Sequence, residues 1–187
     1  MKPMSDLQPT PQKRRFPFVY IVIVGVLLAA VLGLMAGWLK DSKTTTLTVG
    51  QKLEDFTLTT FAGESYRLSD LSGKVILVNF WASWCTSCDE EGAMLEEVWQ
   101  QVNASDEILF MGVDYVDTEK PALEYLDLNQ ITYPNGPDLG SRISALFKIK
   151  GVPETFLIGK DGSLVAMKIG PFVSADEIRQ FLELAQE

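Results

Sequence analysis

Histidine is absent from this 187-residue chain, and cysteine occurs only twice. Without histidine there can be no His-based catalytic triad, no His metal site and no c-type haem motif, which needs His directly after its Cys-x-x-Cys. Two cysteines are too few for a structural zinc site or a multi-disulfide scaffold. Basic charge is also scarce, with 16 Lys+Arg against 25 Asp+Glu and a net charge of -9. A pI near 4.6 speaks against nucleic acid as a partner, because that would need a basic surface.

What is present is unevenly spread. Lys2, Lys13, Arg14, Arg15 and Lys40 face Asp6 alone in residues 1–40, so the remainder carries more than the whole of the negative charge. A basic tail is joined to an acidic globule. Between them, Phe16 to Leu39 is a run of 24 residues without a charge. As a helix at ~1.5 Å per residue it would reach about 36 Å, enough for a hydrocarbon core of ~30 Å. Lys13-Arg14-Arg15 precedes the run, and Phe16, Phe18, Tyr20 and Trp38 fall near its ends, where amphipathic rings favour the interface.

The expected organisation is therefore a cytoplasmic basic tail (1–15), a transmembrane anchor (16–39), a polar linker (40–48) and an extracytoplasmic domain (49–187). A cleaved signal peptide would have a shorter apolar core and a small-x-small cleavage site, and Gly33 to Trp38 offers no good one. No cysteine lies near the run, which excludes a lipoprotein anchor.

From Val49 onward, strand and helix signals alternate. Phe56–Thr59 and Ser65–Leu68 flank Ala62-Gly63-Glu64 as a hairpin. Val75–Trp81 is a nearly continuous apolar run, as expected of a central strand covered on both faces. A helix after the cysteines would bury Met94, Leu95, Val98 and Val102. Ile108–Val113 reads as the next strand, and Pro121 suits the first turn of a helix whose inner face uses Leu123, Leu126 and Leu128. Leu139, Ile143, Leu146 and Phe147 mark a further helix. Thr155–Ile158 and Leu164–Ile169 bracket the turn Lys160-Asp161-Gly162-Ser163. Ser174-Ala175-Asp176-Glu177 opens a last helix that would bury Ile178, Phe181 and Leu182. The order β-β-β-α-β-α-α-β-β-α implies an α/β fold, a mixed sheet with helices on both faces.

Chemistry concentrates at Trp84-Cys85-Thr86-Ser87-Cys88, where the central strand gives way to a helix. A thiolate at a helix N-terminus meets unsatisfied N–H groups and the positive end of the helix dipole, so its pKa falls. The second sulfur, one turn on, can close a disulfide with the first, and such a pair exchanges two electrons through a mixed disulfide. A purely structural role is weak, because so small a ring ties down little chain entropy.

Phe80-Trp81-Ala82-Ser83-Trp84-Cys85-x-x-Cys88, with Gly73-Lys74-Val75 before it and Gly151-Val152-Pro153-Glu154-Thr155-Phe156 far downstream, resembles the thioredoxin superfamily. More narrowly it resembles the membrane-anchored TlpA/ResA-like thiol-disulfide oxidoreductases, including those that serve cytochrome c maturation. The resemblance spans roughly Val49 to Glu187. The early hairpin and an insert around residues 114–138 suit that subgroup better than plain thioredoxin.

The resemblance implies a thioredoxin-like mixed sheet flanked by helices, and roles for particular residues. Cys85 would be the attacking thiol and Cys88 the resolving one. Pro153 matches the family's cis-proline, with the Val152 backbone pairing an extended substrate segment, and Trp84 offers a docking surface. Glu91 matches an acidic residue that transfers protons for the buried thiol, although Asp89-Glu90-Glu91 is also ordinary charge for a helix start. Asn79 stands where plain thioredoxins carry a buried aspartate. Ala93 replaces a helix-kinking proline, Lys148 replaces a loop glycine, and Thr86-Ser87 between the cysteines includes no proline.

The implied partners are protein disulfides, an apocytochrome c among them, and a transmembrane electron donor. No metal and no cofactor beyond the cysteine pair is expected. Two other functions compete. A redoxin-type thiol peroxidase needs Thr-x-x-Cys and an activating Arg, which nothing upstream of Cys85 matches. A copper-binding relative would have to bind through two thiolates alone.

Overall fold

The computed structural model describes residues 18–40 and 47–185. The chain divides into two units, Met1–Thr45 and Thr46–Glu187.

In the first unit the expected anchor corresponds to one helix, α1 (Phe18–Lys40), two residues inside the expected start and one beyond the expected end. Its side chains are described over 20–35, and the large apolar ones are exposed, Tyr20, Ile23, Leu27, Leu32 and Leu34 among them. Among the described residues no helix is long and apolar enough to cross a membrane. The expected transmembrane span is thus present as a helix but not established as a span. The basic tail, 1–15, and most of the linker lie outside the described residues.

The second unit is built on β3 (Val75–Trp81), whose seven residues are all buried. Apolar side chains on both faces force such a strand to the middle of a sheet covered on both sides. The sheet order is β5-β4-β3-β6-β7. β4 (Ile108–Asp114) runs parallel to β3, with Trp81 opposite Asp114. β5 (Asn135–Pro137) continues that parallel side. β6 (Glu154–Ile158) is antiparallel to β3, with Thr155 opposite Asn79, and β7 (Leu164–Ile169) closes the far edge. The early hairpin is the separate antiparallel pair β1 (Thr57–Thr59) and β2 (Ser65–Arg67).

Alternation along β3 divides the core. Ile76, Val78 and Phe80 pack with Phe147, Phe156 and the hairpin's Leu58. Val75 and Leu77 pack with Leu95 and Val98 of α2 (Thr86–Val102) and with Ile178 and Leu182 of α5 (Ala175–Glu183). Ser174 caps α5 by accepting from the Glu177 N–H at 3.2 Å, as its capping box predicts.

The structure departs from the sequence reading in four places. β5 went unrecognised between the third and fourth helices. In α3 (Glu119–Leu128) the inner face belongs to Ala122 and Tyr125, while Leu123 is exposed and Leu128 is 82% exposed. The reason is the Tyr125 phenol, which donates to the Cys88 carbonyl at 2.8 Å and so turns that face inward. Leu139 precedes α4 (Arg142–Phe147) and lies exposed, because the helix starts later, where Asp138 accepts from the Arg142, Ile143 and Ser144 N–H groups. Met94, Val102 and Phe181 are only partly buried.

Candidate active site

β3 ends at Trp81, and a tight turn delivers the chain to Cys85, the residue that caps α2. Its Sγ accepts from the Cys88 N–H at 3.2 Å, so the reactive atom occupies the position where a Ser or Asp oxygen would cap an ordinary helix. Cys85 and Cys88 form the disulfide that their spacing predicts, with Cα atoms 5.3 Å apart. Cys85 is 6% exposed and Cys88 is fully buried, which leaves Cys85 as the sulfur an incoming thiol or disulfide can reach.

Opposite the disulfide, the Val152–Pro153 peptide bond is cis. The Val152 carbonyl oxygen lies 3.6 Å from Cys85 Sγ. That loop is held from both sides. The buried Glu154 carboxylate accepts from the Lys150 N–H at 2.9 Å, and the Gly170 N–H donates to the Pro153 carbonyl at 3.0 Å. Trp84 stands 60% exposed beside the site, with its indole N–H donating to the Val116 carbonyl.

Glu91, one turn after Cys88 on the inner face of α2, is 1% exposed. Asn79 Nδ2 donates to its Oε1 at 2.8 Å, and the Phe172 N–H donates to its Oε2 at 2.9 Å. Asn79 also donates to Thr155 Oγ1 across β6. Burial pushes the Glu91 carboxyl up to about 7, against the downward pull of the Phe172 N–H, the Asn79 amide and Lys168. A group that titrates near neutrality one helical turn from a buried thiol can hold or release a proton as that thiol forms and reacts. Of the three consecutive acids, only Glu91 is buried; Asp89 and Glu90 are exposed.

Behind the cysteines, Trp81 stacks on Tyr125 with ring centroids 4.3 Å apart and donates its indole N–H to Asn135 Oδ1 at 2.8 Å. The indole passes over Gly112, where any side chain would collide with it and with Asn135. Trp81 belongs to the core behind the disulfide, packed with Cys85, Cys88 and Tyr125. Asp114 was missed. It is buried, neither carboxylate oxygen has a hydrogen-bond partner, and burial, reinforced by Asp117, pushes it up to about 7. A strand-ending aspartate reads as solvated, so no sequence signal marked it. Among the described residues there is no cluster of three metal-ligating side chains.

The arrangement of an accessible sulfur at a helix start, a buried partner and a cis-proline opposite suits disulfide exchange, and comparison with known proteins agrees. The ResA thiol-disulfide oxidoreductase of a Bacillus cereus strain is 28% identical over 159 residues, covering 85% of this chain and 90% of that protein. The thioredoxin-like protein YneN of Bacillus subtilis is 28% identical over 169 residues, covering 87% and 96%. Among solved structures, a protein disulfide isomerase homologue of Bacteroides thetaiotaomicron superposes with TM-score 0.68 at 28% identity, covering 75% of this chain and 92% of that one. A DsbE-type thiol:disulfide interchange protein of Chlorobium tepidum gives 0.65 at 25% identity, covering 75% and 98%. The AhpC/TSA family model matches residues 49–167. With its thioredoxin-like fold and Cys85–Cys88 pair, the chain belongs to the AhpC/TSA family and is a thiol-disulfide oxidoreductase.

Proposed function

We propose that the protein is a membrane-anchored, extracytoplasmic reductant of disulfides in partner proteins, with apocytochrome c as one client. In each cycle the Cys85 thiolate attacks a client sulfur and the client's other sulfur leaves as a thiolate. Cys88, deprotonated toward Glu91, then attacks Cys85 Sγ and releases the client dithiol. Two electrons and two protons pass to the client, and the Cys85–Cys88 disulfide is left to be reduced again by an electron donor across the membrane.

The observation that carries the reductant reading is Glu91 buried one turn behind Cys88, with Asp89 and Glu90 in the same turn. Negative charge there disfavours a thiolate and opposes the helix dipole. Strong oxidants owe their potential to a stabilised reduced form, and the acidic residues here weaken that stabilisation. The anchor is supported by the run of 24 uncharged residues from Phe16 to Leu39 and by the basic residues before it. The cytochrome link draws on the resemblance alone. A peroxidase is disfavoured because Ala82 stands where the required threonine would be.

The direction of electron flow is tested by the equilibrium potential of the Cys85/Cys88 pair against glutathione or dithiothreitol buffers. A value well below that of a strong periplasmic oxidant (~-120 mV) is expected, and a value close to it would defeat the reductant reading. Protease digestion of sealed spheroplasts tests the placement, with cleavage of the acidic domain from outside as the expected result.

A further inference from the structure

Between β4 and α3, three consecutive residues bond the segment that leads into the cysteines. The Tyr115 N–H donates to the Trp81 carbonyl at 2.8 Å, the Trp84 indole to the Val116 carbonyl at 3.3 Å, and the Ser83 N–H to Asp117 Oδ2 at 2.7 Å. Val116 sits in this brace with φ +49°, a left-handed conformation that glycine adopts freely and a β-branched residue adopts only under strain. Val116 is 53% exposed, so packing within the fold recovers little of that strain. Strain of this kind collects at functional sites. The indole bond to its carbonyl sets Val116 next to Trp84, and Trp84 precedes Cys85 directly.

A client sulfur must reach Cys85, which is nearly enclosed, so the residues flanking that sulfur have to rest on the rim. Here the rim is apolar at Trp84 and Val116. Around it, Asp89 and Glu90 at the start of α2 and Asp117 and Glu119 at the start of α3 supply negative charge, with Lys120 the one cation among these first turns.

Building on the disulfide-exchange reading, we propose that Val116 determines specificity: with Trp84 it forms a shelf for an aliphatic side chain beside the attacked cystine of an extended client that carries a basic residue nearby. The left-handed turn aims the carbonyl at Trp84 and presents the Val116 methyls to the client.

The test is single-turnover reduction of two cystine peptides by the pre-reduced full chain. The peptides share length and one lysine, and differ in carrying leucine or serine next to the attacked cysteine. In the native chain the leucine peptide reacts about tenfold faster, the equivalent of covering roughly half a leucine side chain. Val116→Gly relaxes the turn, removes the Val116 part of the shelf and lowers the ratio toward one. Val116→Asn, which also tolerates this conformation, does the same and serves if the glycine variant folds poorly. A ratio near one in the native chain, or an unchanged ratio in a folded variant, overturns the inference. If the native chain reduces neither peptide, disulfide exchange itself is overturned.

Discussion

Replacing Glu91 by glutamine removes a buried ionisation while keeping nearly the same shape, and the pH dependence of stability should register the loss. Burial raises this carboxyl from 4.5 to about 7 in the folded protein. Between those two values the folded state holds a proton that the unfolded state has released, so stability falls as pH rises. It is highest below pH 4.5, declines through the window, and is level above pH 7. At ~1.4 kcal/mol per unit, the native protein loses about 3 kcal/mol across this range through Glu91. Asp114 titrates in a similar window in both proteins and cancels in the difference. Glutamine keeps the bond from Asn79 but turns an N–H₂ toward the Phe172 N–H, so Glu91→Gln starts lower at pH 4.5, by about 1–3 kcal/mol. Urea unfolding of the oxidised proteins at half-unit steps from pH 4.5 to 8 gives both curves. They should converge or cross as pH rises. Parallel curves would refute the claim that the Glu91 carboxyl is forced upward by burial.

Two further outcomes follow from the site's geometry. Cys88→Ser should accumulate mixed disulfides with client proteins through Cys85, and Cys85→Ser none, as read on non-reducing gels; the reverse pattern would exchange the two cysteines' roles. Gly112→Ala should destabilise the protein by about 3 kcal/mol or more in urea, because its Cβ would fall inside the Asn135 side chain and within 2.8 Å of Trp81 Nε1.

The central strand and the redox pair were legible because their signals are local. A nearly continuous apolar run such as Val75–Trp81 has to be covered on both faces, and a Cys-x-x-Cys after it lands on a helix start. The rest depended on partners distant in sequence. β5 includes a glycine and a proline and no strand-forming residue, and its Gly136 fits where the Thr59 backbone approaches closely. Leu123 and Leu128 read as the inside of α3, but a tyrosine with a carbonyl to reach decided otherwise. Glu91 had a readable signal. It shares a helical stripe with Cys88 and Leu95, whereas its acidic neighbours do not. Asp114 had none, since its desolvation arises from elements packed around the end of β4.

Cys85 is at once the reagent and the first joint of its own helix, because its sulfur receives the Cys88 amide. Chemistry and architecture therefore cannot be edited separately at this position. Alanine would silence the thiol and also remove the side-chain cap, leaving the Cys88 amide only its bond to the Cys85 carbonyl and confusing lost reactivity with a loosened helix start. Serine, whose oxygen is itself a favoured cap, keeps the joint and deletes only the electrons.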